Sequence, residues 1–501
     1  MDVTEPVVRT AAGPVRGRAE NGIAVFRGIP FARPPVGPLR FAAPAPPAPW
    51  DGVREAAMFG PPPPQSAVMP VAAEPIAPGA APGDWLTVNV FSPDLGAAGL
   101  PVMVWIYGGA YRFGASCHTG YDGTPLAAEG VVVVTFNHRV GVEGYAYLPG
   151  VPANRGLLDQ VAALRWVREN IAGFGGDPDR MTVFGESAGA GAIASLLVMP
   201  AAAGLFRRAI AQSVPGTFFT PALAADATAA IAAAAGLPPT AEAFAAADPA
   251  RLAAASDAVR TAEYADRWGP VGRTGVPFSP VVDGEVLPAA PWRVLAAGAA
   301  RDVDLIAGHN RDEYRLFTTL TQVRGRVTDA MAARALRDLA GPDGEAAYRE
   351  AYPEADAEAL FELVYSDWLF RMPTLHLAQA HAASGGRTFL YEVTYEAAVG
   401  GLGACHAIDV PLVFGVWPGL GQMLFGPEPP ASAIALGELM RAAWAAFARD
   451  GDPGWPPYAA GRRLTRVFGD PSDVVAYPEQ ASMHIWDQHR FGVLDLIAAP
   501  A

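Results

Sequence analysis

The chain contains no lysine: all 36 of its basic residues are arginine. That absence removes Ser-Lys catalysis, a lysine Schiff base and a P-loop lysine from consideration. Cysteine is almost as scarce. The two thiols, Cys117 and Cys405, come with no closely spaced Cys/His set, so no metal site is expected, and so few thiols read as a reducing cytoplasm rather than a disulfide framework. Charge is sparse and leans acidic. Fifty carboxylates against 36 arginines give a net charge of −14, which argues against partners such as a nucleic-acid backbone or an anionic membrane surface. Long hydrophobic runs are missing too, because glycine, proline or charge interrupts every apolar stretch before it could span a bilayer. The opening MDVTEPVVRT has neither the basic nor the apolar region of a secretory signal, so the expectation is a cytoplasmic protein.

What is present is core material, with 51% apolar residues in 501. PVMVWIY (101–107) and GVVVVTF (130–136) are apolar throughout, as strands buried on both faces of a parallel sheet are. LLDQVAALRWVRENIAGF (157–174) repeats apolar residues at three- and four-residue spacing, which predicts an amphipathic helix. RMTVFG (180–185), VDLIAG (303–308) and TFLYEVTY (388–395) read as further strands, and alanine-rich stretches at 222–237 and 241–259 as helices, with another helical region at 329–363. PPPPQSAVMPVAAEPIAPGAAPG (61–83) reads as a surface loop. Alternating strands and helices predict an α/β fold with a mainly parallel central sheet. No linker divides the chain, so residues 1–501 are read as one domain with helical insertions around 216–275 and 318–385.

TVFGESAGAGA (182–192) places Ser187 between glycines at the junction of a strand and a small-residue helix. This is the context of a nucleophile elbow, in which a sharp turn exposes the serine hydroxyl at a helix N-terminus. A plain turn would use the same glycines, so the other parts of a hydrolytic site must be found in the order serine, acid, histidine. Of eight histidines, His406 in GLGACHAIDVPLVFG lies downstream in a small-residue loop, whereas His309 leaves no room for an acid before it. DLIAGHNRDEYRLF (304–317) puts Asp312 and Glu313 just after a strand, and physical reasoning alone does not choose between them. WIYGGAYRFG (105–114) drops from a strand into Gly108, Gly109 and Ala110, a backbone bare enough to offer N–H groups to an oxyanion.

These residues closely resemble the type B carboxylesterases, and the likeness runs nearly end to end. It is carried by FRGIPFARPPVGPLRF (26–41), GDWLTVNVFSP (83–93), FNHRVGVEGY (136–145), NRGLLDQVAALRWVRENIAGFGGDP (154–178), LFRRAIAQS (205–213) and FSPVVDG (278–284). The resemblance implies an α/β-hydrolase fold and a nucleophile at Ser187. It also implies an acid at Glu313 rather than Asp312, a base at His406, and oxyanion donors at the backbone N–H groups of Gly109, Ala110 and Ala188. It implies no metal and no organic cofactor, and a small-molecule ester as the partner. The chain departs from the family at Trp85, where a cysteine is usual, and at Ala110, Tyr314 and Ala407, where glycines are. Glu143 replaces an apolar residue, and a buried, hydrogen-bonded structural role is expected for it. A Gly-Gly-Ala run such as 108–110 goes in related esterases with hydrolysis of tertiary-alcohol esters.

The function implied is ester hydrolysis through an acyl-enzyme with broad small-ester scope. The alternatives are a carbamate or amide hydrolase on the same triad, and a binding protein that kept the fold without the chemistry. An ordinary imidazole base predicts an acid limb of kcat/KM at about pH 6–7.

Overall fold

The runs that are apolar on both faces form the middle of one twisted sheet. In the computed structural model, which describes residues 5–66, 73–78 and 83–497, eleven strands build it. They are β1 (Arg18–Glu20), β2 (Ile23–Pro30), β3 (Thr87–Ser92), β4 (Leu100–Ile106), β5 (Val132–Phe136), β6 (Gly176–Glu186), β7 (Arg208–Gln212), β8 (Asp304–Asn310), β9 (Thr388–Val393), β10 (Leu464–Phe468) and β11 (Asp473–Ala476). Their spatial order is β11-β10-β9-β8-β7-β6-β4-β5-β3-β2-β1. From β5 through β4 to β10 every pairing is parallel, and antiparallel strands close both edges. Every residue of β5, β7 and β9 is buried, and only Arg208 and Glu392 among them are charged.

Helix α1 (Arg155–Asn170) realises the predicted periodicity by burying Leu157, Val161, Leu164 and Val167. Helix α2 (Ala188–Leu196) follows β6 directly. Between β7 and β8 the chain adds helices Pro221–Ala235, Ala241–Ala246 and Pro249–Ala258, and between β8 and β9 it adds Asp329–Ala340 and Gly344–Ala351. That second excursion ends in α3 (Ala357–Ser366), a wide π turn (Asp367–Arg371) and α4 (Met372–Ala383). Of the proline-rich loop 61–83, residues 67–72 and 79–82 lie outside the described residues. Its Gln65 exchanges two hydrogen bonds with the backbone of Gly114, at 2.8 and 3.2 Å, and so ties the loop to the segment after β4. The C-terminal stretch is less irregular than its polarity suggests, since His484 lies in a helix, Gln480–Trp486.

Glu143 is buried and receives Arg40 at 2.6 Å, while the same guanidinium donates to the carbonyls of Ala245 and Ala247. The pair fastens the first helical insertion to the body, as a structural acid would.

Candidate active site

A parallel sheet delivers its loops to one edge, beyond the C-terminal ends of the strands. Four of them meet here: the loop after β4 carries Gly109 and Ala110, the β6–α2 corner carries Ser187, the loop after β8 carries Glu313, and the loop after β9 carries His406. They open on a cavity of 660 Å³ that Ser187, Ala188, Gly109, Ala110 and His406 all line.

Ser187 has φ 57° and ψ −123°, a backbone state that a non-glycine residue adopts only under constraint. The constraint is visible in the glycines. A Cβ at Gly185 would approach the Ile106 carbonyl to 2.5 Å, and one at Gly189 would overlap it, so only glycine lets α2 close on the end of β4. The corner therefore projects Ser187 from the sheet edge, with the N-terminus of α2 behind it. Gly109, Ala110 and Tyr111 have φ of 111°, 54° and 57° in succession. Among the described residues, the N–H groups of Gly109, Ala110 and Ala188 donate to no protein acceptor.

The loops of Glu313 and His406 are stitched together by backbone. His406 N donates to Glu313 O at 3.3 Å, Asp312 N to Ala404 O at 2.9 Å, and Ala404 N to Asp312 Oδ2 at 2.9 Å. Gly403, at φ 63°, sits so close that a Cβ would fall 2.5 Å from Asp312 Oδ2. Glu313, fully buried, accepts from His406 Nδ1 at 2.6 Å with Oε2, and from Ser213 Oγ at 2.5 Å and Asn310 N at 2.8 Å with Oε1. Of the two adjacent acids, Glu313 meets the imidazole and Asp312 holds its loop. His309 lies apart, buried and bonded to Tyr477 OH at 2.9 Å.

The other imidazole nitrogen faces a residue that sequence reasoning passed over. His406 Nε2 is 3.0 Å from Glu186 Oε1, a contact without hydrogen-bond alignment, and that oxygen has no other partner. The Ser187 hydroxyl has no hydrogen-bond partner among the described residues. Burial opposes charging the ring, but the Glu186 and Glu313 carboxylates outweigh it and raise His406 to about 10. The acid limb expected at about pH 6–7 is that of an ordinary imidazole, and the second carboxylate beside this ring shifts it upward.

Asp409, in helix α5 (Asp409–Phe414), accepts from Gln212 Nε2 and Tyr391 OH, both at 2.8 Å. Burial and the nearby Glu186 raise its carboxyl to about 6. The rest of the cavity is largely apolar. Its two arginines, Arg112 and Arg273, are paired with Asp257 at 2.7 Å and Asp338 at 2.6 Å. Burial pushes His118 down to about 4, which keeps it neutral.

A profile of the carboxylesterase family matches residues 4–465. The chain is 37% identical to the para-nitrobenzyl esterase of Bacillus subtilis (strain 168) over 504 residues, covering 95% of this chain and 97% of that one. It is 36% identical to the fumonisin B1 esterase of Sphingopyxis macrogoltabida, covering 89% and 82%. A solved PNB esterase superposes with a TM-score of 0.85 at 36% identity, covering 96% of this chain and 99% of that one. The carboxylesterase EST55 of Geobacillus stearothermophilus superposes at 0.83, with 37% identity and the same coverage.

Proposed function

The chain belongs to the carboxylesterase family and is a carboxylic-ester hydrolase, and we propose that it works through an acyl-enzyme formed on Ser187. The observation that carries this assignment is the 2.6 Å bond from His406 Nδ1 to buried Glu313, with Nε2 turned toward Glu186, the residue before Ser187, at 3.0 Å. His406 takes the hydroxyl proton as Ser187 attacks the ester carbonyl, and Glu313 holds the tautomer and stabilises the imidazolium. The carbonyl oxygen becomes an oxyanion, and the unpartnered N–H groups of Gly109, Ala110 and Ala188 receive it. His406 then returns the proton to the departing alcohol, and a water repeats the sequence on the acyl-enzyme.

The apolar cavity, with its arginines already paired, supports small uncharged esters of broad scope as substrates. Residues 1–501 act as one domain on this reading, with the insertions around 216–275 and 318–385 walling the site; Phe219, Val271, Phe361 and Tyr365 of those segments line the cavity. Cys117 and Cys405 are both free and buried, which supports a reducing cytoplasmic setting. No described helix is long and apolar enough to cross a membrane.

Covalent labelling with a fluorophosphonate tests the assignment, because the reagent traps only an activated serine. Peptide mass spectrometry should find the adduct on Ser187, and an adduct on another serine overturns the triad. Matched p-nitrophenyl ester, carbamate and anilide substrates should rank in that order, and a carbamate or anilide ranking first moves the preferred substrate away from esters.

A further inference from the structure

Pro373 occupies the second position of α4 and has no N–H to give to the carbonyl of Leu369. The helix responds by widening. Met372 N donates five residues back to Asp367 O, the signature of a π turn, and the released Leu369 carbonyl accepts instead from Gly216 N at 2.8 Å. The turn is pinned from behind by buried Arg371, which contacts Asp367 at 3.0 Å, donates to Glu479 at 2.6 Å and reaches Arg311 O at 3.1 Å. What this widened turn presents to the cavity is Phe370, 3% exposed, whose ring stacks on His406 at 4.2 Å between centroids and 28° between planes. Phe317 stands 5.1 Å from the same imidazole, tilted by 42°, and 5.9 Å from Phe370.

We infer that Phe370 is a positioning residue for the general base: the π turn packs its ring against the face of the imidazole, fixing the plane in which Nδ1 meets Glu313 and Nε2 meets the reacting centre. This rests on His406 being the base, as proposed above. An imidazole held by one hydrogen bond at Nδ1 is free to swing about that bond, and a stacked ring removes the swing. The π face also favours the imidazolium over the neutral ring, so the contact strengthens as the proton arrives. The charged groups acting on His406 are Glu186, from the end of β6, and Glu313, from the loop after β8, with Asp409 one turn further along its own segment; Phe370 and Phe317 add only ring faces.

The test compares Phe370→Leu, Phe370→Met and Phe370→Tyr with the unsubstituted protein by two readouts. The first is the titration midpoint of the His406 ring, followed by NMR of ¹⁵N-histidine-labelled protein and assigned with His406→Gln. Losing the ring should lower the midpoint by about 1–1.5 pH units, the size of a buried cation–π contact, and tyrosine should restore it. The second is p-nitrophenyl acetate turnover, where kcat should fall about tenfold in the leucine and methionine variants with KM nearly unchanged. Phe317→Leu, which removes the more distant ring, should move both readouts less. An unmoved midpoint in both variants, with only KM raised, would make Phe370 a wall of the cavity and overturn the inference. If the unsubstituted protein turned over no ester, the esterase assignment would fail while the midpoints still decided the role of the ring.

Discussion

Glu186→Gln should redraw the pH profile in a way that no purely structural role could. At 3.0 Å and an effective dielectric of about 20, the imidazolium and this carboxylate attract by roughly 5 kcal/mol. That is an upper bound, and a neighbouring opposite charge typically moves a titration by about 1–3 units, so this is the shift to expect. The sign follows from what the base must do. His406 accepts a proton only when neutral, so lowering its pKa moves the acid limb of kcat/KM to lower pH. The transition state, however, contains the imidazolium, and it loses the same stabilisation that the resting charged form loses. At low pH both states carry the contact, so the two profiles should coincide there. On the alkaline plateau only the transition state carries it, and the variant should fall about 10–1,000-fold below the unsubstituted enzyme. The assay is p-nitrophenyl acetate hydrolysis from about pH 5 to 11, corrected for spontaneous hydrolysis, so that the range passes the midpoint of the unsubstituted enzyme. Acid limbs that stay at the same pH, or profiles separated equally at every pH, would refute the electrostatic role of Glu186.

Elements whose cause is local were legible in the sequence. The all-apolar runs became β4 and β5, and the three- and four-residue periodicity became α1, because burial on two faces or one stripe leaves its mark on composition. Residues in the order serine, acid, histidine could be named from the sequence, and the family likeness preferred Glu313 where two adjacent acids looked alike. Contacts made between distant segments left no such mark. Glu186 was read as part of the elbow, yet its carboxylate faces His406 across two loops. Ser213 follows the last residue of β7, and only the packing of β7 beside β8 brings its hydroxyl to Glu313. Phe370 sits in an apolar helical stretch; the one local clue was Pro373 three residues on, which marks a broken hydrogen-bond ladder without saying what the break would aim. Asp312 was weighed as a rival acid, and its hydrogen bond from the amide of Ala404 joins it to a loop almost a hundred residues away in sequence.

The remaining tests address the site directly. Ser187→Ala should lower kcat by about 10⁶-fold, since the nucleophile is gone, while thermal unfolding stays near that of the unsubstituted protein. Near-normal turnover would sink the assignment. Glu313→Gln should cost about 10³–10⁴-fold in kcat through the wrong imidazole tautomer, against roughly tenfold for Asp312→Asn, which keeps an acceptor for Ala404 N. The reverse ranking would exchange their roles. Ala110 decides whether the Gly-Gly-Ala loop admits tertiary-alcohol esters, and its backbone dictates how the test must be made. A valine here adds bulk beside the alcohol, but Ala110 stands at φ 54°, where a β-branched side chain is strongly disfavoured. Ala110→Val should therefore shift the loop itself, misalign an oxyanion donor and slow tert-butyl acetate and n-butyl acetate alike by about 10²–10³-fold. Ala110→Gly is the informative change. Glycine adopts this φ without strain, keeps the N–H where it is and removes a methyl beside the alcohol. We expect it to preserve n-butyl acetate turnover within about twofold and to raise the tert-butyl rate relative to it. A glycine variant that loses both activities would show that the alanine methyl holds the loop in place, and an enzyme inert to tert-butyl acetate in either form would end the tertiary-ester reading.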